Sequence, residues 1–158
     1  MNLFQTFLTQ FLIKFQIFSI LDLNRFKNSN GLHTNALYSF HRMFKSILDS
    51  EKPTHVLVAW DAGKTTFRTE MYADYKGGRS KTPGEFIEQM PYFNVLLDAW
   101  GIPHYRLNQY EADDIIGTLA KQGEAAGYEV VVLSGDKDLI QLADKNITVK
   151  ITTKGVTE

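Results

Sequence analysis

The chain of 158 residues contains no cysteine, which excludes disulfides and thiolate-bound zinc and accords with a reducing cytoplasm as its expected location. It carries almost no net charge, −1 at pH 7, so no overall basicity marks a polyanion partner, and any nucleic-acid site has to be a local patch. Internal repeats and low-complexity tracts are absent. A Ser-His-Asp set is absent too, and His33, His41, His55 and His104 show no metal-ligand spacing. Gly63-Lys64-Thr65 does not close a phosphate-binding loop, because the glycine such a loop needs at position 58 is Val58, inside an apolar run. The apolar N-terminus is not expected to act as a secretory signal: no basic region precedes it and no small-residue cleavage site closes it. Nor does it read as a membrane span, since Gln5, Thr6, Thr9, Gln10, Lys14 and Gln16 interrupt it. What is present, 44% hydrophobic and 22% charged residues, is the composition of one soluble globular domain with a real core.

Hydrophobic periodicity then divides the chain. Leu3, Phe4, Phe7, Leu8, Phe11, Leu12, Phe15 and Phe18 recur at helical spacing and predict a helix within residues 1–23. Asn28-Ser29-Asn30-Gly31 reads as a turn. A helix is expected from Thr34 to Asp49 and, past Pro53, a strand over His55–Trp60. Thr82-Pro83 opens another helix, with Phe86, Ile87, Met90, Phe93, Leu96 and Leu97 as its buried stripe, a kink at Pro91 and an end at Gly101. A strand over Ile102–Leu107, a helix closing at Gly127, a strand over Tyr128–Leu133, a short helix (Leu139–Ala143) and a strand over Ile147–Ile151 complete the pattern. Strands alternating with helices imply a parallel α/β sheet.

Tyr110-Glu111-Ala112-Asp113-Asp114 sets three carboxylates in front of an apolar helical run. At ~100° per residue, Glu111 and Asp114 share a helix face while Asp113 points elsewhere. Acids favour helix N-termini, so a solvated, over-charged helix start is one reading. A hard divalent metal among crowded carboxylates is the other. In parallel sheets, the loops at the carboxyl ends of the strands converge on the binding crevice. Asp61 follows one strand, Asp136 and Asp138 follow another, and the acidic cluster follows a third, so these carboxylates should gather on one sheet edge. With two Mg²⁺ or Mn²⁺ ions such a set is suited to phosphodiester hydrolysis. A phosphoacceptor domain fits less well, because Lys137 is flanked by acids. Residues 62–81 hold Lys64, Arg68, Lys76, Arg79 and Lys81 against Glu70 and Asp74, interleaved with Phe67, Tyr72 and Tyr75. That mixture suits either a solvated loop or a grip on single-stranded nucleic acid.

From Asn28 onward the chain resembles the 5′-nuclease (5′-3′ exonuclease) domain of bacterial DNA polymerase I, within the flap endonuclease family. The resemblance is carried in order by Gly31-Leu32-His33-Thr34-Asn35-Ala36, Lys52-Pro53-Thr54-His55, Trp60-Asp61-Ala62-Gly63-Lys64-Thr65-Thr66-Phe67-Arg68, Tyr75-Lys76-Gly77-Gly78-Arg79, Tyr110-Glu111-Ala112-Asp113-Asp114 and Ser134-Gly135-Asp136-Lys137-Asp138-Leu139. It implies a PIN-like or resolvase-like three-layer nuclease core. It also implies a two-metal enzyme that removes RNA primers and 5′ flaps from DNA, as at Okazaki junctions, with a polymerase attached in full-length members and a monomeric chain. By motif, Asp61, Glu111, Asp113, Asp114, Asp136 and Asp138 would hold the metals. Lys76 and Arg79 would contact the threaded strand in a helical arch, assisted by Arg68, Tyr75 and Lys64. Two departures stand out. Residues 1–27 read as a divergent, helical segment without the first strand's Asp-Gly-Asn motif, as if spliced on by a shifted frame or wrong start. The chain also ends at Glu158, before the family's later acidic pair and DNA-gripping helices. Residues 28–158 are thus expected to be a truncated catalytic domain, with activity impaired. The alternative is a non-catalytic remnant that binds only metal or DNA.

Overall fold

The computed structural model describes residues 26–62 and 82–152, and the backbone alone of 5–10, 153 and 156–157. The elements run β1 (Gln5–Gln10), α1 (Asn35–Glu51), β2 (His55–Trp60), α2 (Gly84–Ile87), α3 (Met90–Ala99), β3 (His104–Arg106), α4 (Ala112–Ala125), β4 (Glu129–Ser134), a 3-10 helix (Lys137–Leu142), β5 (Ile147–Thr153) and β6 (Val156–Thr157). The sheet order is β3-β2-β1-β4-β5-β6. All neighbours are parallel except β5 and β6. Successive strands step outward from β1 to β3, and the chain then returns to the other side of β1 for β4. That reversal makes the carboxyl ends of β1 and β4 the point where a crevice forms in an open α/β sheet.

The N-terminal expectation needs correction. Residues 5–10 form a strand, and a central one, rather than part of a helix: Phe7 pairs with Val56 on one side and with Val131 on the other. Helical spacing of apolar residues is a local signal. A slot between two parallel strands offers backbone N–H and C=O groups along both sides, and filling it outweighs local preference, the more easily because Thr6, Phe7 and Thr9 are good strand formers. This segment therefore supplies a central strand of the sheet, without the Asp-Gly-Asn motif.

Alternation along the strands builds two cores. Val58, Trp60, Val131 and Leu133 face α1 and α3, packing on Phe40, Phe44, Phe93 and Leu97. Ala59, Val130 and Val132 face α4, packing on Ala112, Ile115, Ile116 and Ala120. The result is three layers. Phe40 stacks on Phe44 at 5.3 Å between ring centroids and meets Phe93 edge-on at 5.2 Å. Each such ring withdrawn from water contributes roughly 1.5–3 kcal/mol.

Helix ends follow local chemistry. Gly101 (φ 66°) and Gly127 (φ 86°) stop α3 and α4 in the left-handed region that a side chain resists. The segment after Pro83 is two helices rather than one kinked helix, because α3 restarts at Met90 and Pro91 falls in its first turn, where a missing N–H costs nothing. Ile87 consequently leaves the expected stripe and is 56% exposed. The N-terminus of α1 has no side-chain cap from Thr34. Fully buried Gln89 does that work from a distance: its Oε1 accepts from Ala36 N (3.0 Å) and Leu37 N (3.2 Å), and its Nε2 donates to Asn35 Oδ1 (3.0 Å). Next to it, Glu88 accepts from the His33 backbone N–H (3.0 Å) and meets its imidazole, and these contacts hold the Glu88 carboxyl below its usual range.

Candidate metal centre

The acidic segment opens α4 in a way that uses its carboxylates. Buried Glu111 is the N-cap; its side chain accepts from the Asp114 backbone N–H, while Asp114 Oδ2 accepts from Glu111 N at 3.0 Å. This reciprocal box satisfies two donors that a helix start would otherwise orphan. The next donor, Ala112 N, is met from another strand: Asp61 Oδ1 accepts it at 2.8 Å, across 51 positions of sequence. Ala62 N donates to Tyr110 O at 3.3 Å beside it, so the end of β2 is fastened to the start of α4. Asp113 is the acid in that first turn that the capping box does not use. The closeness expected of Glu111 and Asp114 is thus present, and in the structure it serves the helix start.

Asp136 and Asp138 form a second acidic turn. Asp136 caps the 3-10 helix through Oδ1, which accepts from Asp138 N at 3.0 Å. Asp136 N in turn donates to the Oγ of buried Ser134 at 2.9 Å. Ser134 was visible in the motif but not singled out; its value lies in a contact two residues away that only the turn geometry creates. Register places the two turns on one edge. Thr9 pairs with both Val58 and Leu133, and Asp61 and Asp136 each lie three residues beyond those partners. Both therefore follow strand ends on the same edge of the sheet, with β1 between them.

Every site side chain offers oxygen, and hard divalent cations take oxygen ligands, so the donor chemistry fits Mg²⁺ or Mn²⁺. A carboxylate pinned through one oxygen is also held in orientation while its second oxygen can meet a cation. The closeness is another matter: among the described residues no group of three or more His, Cys, Asp or Glu lies near enough to hold a metal ion. Lys64, Arg68, Tyr75, Lys76 and Arg79 lie outside the described residues.

The class of protein this fold and edge define is shown by comparison. The family described as "5'-3' exonuclease, N-terminal resolvase-like domain" matches residues 10–158. The chain belongs to that family. It is 62% identical over 136 residues to DNA polymerase I of Streptococcus pneumoniae, covering 86% of this chain and 16% of that protein. Against DNA polymerase I of Bacillus subtilis it is 60% identical over 131 residues, covering 83% and 15%. The chain thus spans about a sixth of the curated relatives it matches. Among solved structures, the T5 5′-exonuclease with bound zinc shares the fold at TM-score 0.63 and 21% identity, over 98% of this chain and 57% of that one. The T5 flap endonuclease in a complex with DNA and metal ions superposes equally well, also at TM-score 0.63. Among the described residues no helix is long and apolar enough to cross a membrane.

Proposed function

We propose that this chain is the resolvase-like part of a 5′-3′ nuclease that hydrolyses phosphodiester bonds in DNA carrying a 5′ end or 5′ flap, including RNA primer–DNA junctions in replication and repair. The observation that carries the reading is the Asp61–Ala112 hydrogen bond, which fastens the acid after β2 to the acidic start of α4 on the edge that also holds Asp136. Family membership and the DNA polymerase I relatives support it. Asp61, Glu111, Asp113, Asp114, Asp136 and Asp138 would hold two Mg²⁺ or Mn²⁺ ions. Bound there, such ions lower the pKa of a water and neutralise the leaving oxygen. The chain's own residues do the positioning: the capping box orients Glu111 and Asp114, and Ser134 sets the turn that aims Asp136. Lys64, Arg68, Tyr75, Lys76 and Arg79 would grip the strand by charge and stacking. The setting is a cytoplasmic, monomeric domain, with a polymerase attached in longer family members.

A second reading, a chain that binds metal or DNA without cutting, is favoured by the lack of any three-carboxylate cluster among the described residues. A 5′-flap oligonucleotide incubated with the chain and Mg²⁺ or Mn²⁺ separates the two. We expect metal-dependent 5′ products, lowered on the order of a hundred-fold by Asp113→Ala. No cleavage with either ion leaves only the binding reading, and equal cleavage by the variant removes Asp113 from the site.

A further inference from the structure

Beside the carboxylate edge lies a groove of about 690 Å³ on the α4 face of the sheet's outer strand. Tyr105, Leu107 and Tyr110 form one wall, Ile115 and Thr118 of α4 the other, and Asp114 stands in its lining. The three wall residues from 105–110 are exposed by 54%, 41% and 44%, an unusual amount of aromatic and aliphatic surface on one short stretch. Register explains why the ring reaches the groove: Tyr105 pairs with Ala59 and shares its face, whereas Arg106 pairs with Trp60 and turns to the opposite face.

We propose that this groove receives an unpaired nucleobase of the nucleic-acid strand, stacked on Tyr105, next to the phosphate handled at the carboxylate edge. The proposal deepens the nuclease reading and rests on it for the identity of the partner. Three features select that occupant. The groove is continuous with the acidic edge, because Asp114 both lines it and closes the capping box with Glu111. Apart from Asp114 and Thr118 the described lining is aromatic and aliphatic, a surface suited to the flat, uncharged base rather than to the charged backbone. Tyrosine faces stack with any base and so need no sequence.

The test is a fluorescence titration of the full chain with a 5′-flap DNA carrying 2-aminopurine in the unpaired strand next to the junction, in Ca²⁺. Stacking quenches the probe. We expect quenching by the wild type and by Tyr105→Phe, and a Kd about ten-fold weaker with little quenching for Tyr105→Ala, in the range of one lost stacked base. An abasic site at the probe position should weaken the wild type and abolish the difference between it and Tyr105→Ala. Equal Kd and quenching for wild type and Tyr105→Ala overturns the proposal. So does a difference that persists on abasic DNA, or absence of DNA binding altogether. Because the readout is binding, Tyr105-dependent quenching without any cleavage in Mg²⁺ would uphold the groove and sink the nuclease reading; cleavage with a neutral Tyr105→Ala would do the reverse.

Discussion

Replacing Asp61 separates the hydrogen bond its carboxylate makes from the metal binding proposed for it. In the structure it accepts the Ala112 N–H at 2.8 Å, and Ala112 is fully buried at the start of α4. A hydrogen bond to a charged group contributes about 1.5–3 kcal/mol, and its removal leaves a helix donor unmet. Asp61→Ala should therefore cost about 1.5–3 kcal/mol, which for a domain of this size lowers Tm by roughly 3–12 °C. Asp61→Asn keeps an acceptor oxygen in the same place and should lose less, about 0.5–2 kcal/mol, because a neutral bond contributes about 1 kcal/mol. The proposed metal task ranks the variants differently. Mg²⁺ at a hundred times its Kd stabilises the folded wild type by about 2.7 kcal/mol. Both variants lack the charged ligand, so both should lose most of that rise. The assay is a thermal melt with chelator and again across a Mg²⁺ series. An alanine variant as stable as wild type in chelator would refute the capping argument, and an asparagine variant with an undiminished Mg²⁺ response would remove Asp61 from the metal site.

Gln89→Leu should destabilise by about 2–3 kcal/mol in denaturant titration, since it strips the acceptor from the N–H groups of buried Ala36 and half-buried Leu37 while preserving volume; a loss below about 1 kcal/mol would show that the N-terminus of α1 is satisfied otherwise. The Asp144 carboxyl is held below its usual range, first by the Lys121 ammonium at 2.7 Å and then by the Lys145 backbone N–H. Its folded-state pKa lies below its unfolded one, so the pair stabilises the fold above the unfolded carboxylate value and loses that contribution as pH falls through the depressed one. Asp144→Asn should therefore flatten the acid end of a Tm-against-pH curve and leave its slope at neutral pH unchanged; an unaltered acid limb would count against the contact.

Much of this architecture was legible in order along the chain. The strand at His55–Trp60 coincides with its apolar run, and α1 and α4 lie where their amphipathic stripes are bounded by turn-forming residues. These elements carry their own start and stop signals within a few residues. The acids were legible too, because side chains that repel one another call for a reason wherever they cluster. What failed was what depends on distant partners. Residues 5–10 carry a helical spacing yet pair between β2 and β4, since the unmet backbone of two strands is a stronger demand than a weak local pattern. Ile87 left its stripe once the chain broke before Met90.

The sequence alone determined the alternation of elements, the family and where acidic side chains crowd along the chain, because periodicity, turn chemistry and charge act over a few neighbouring residues. Only the tertiary structure decided which strand stands at the centre, that Asp61 caps a helix formed 51 positions later, and that Gln89 caps α1. Those are contacts between segments far apart in the chain, and a hydrogen bond has no length in sequence, only in space.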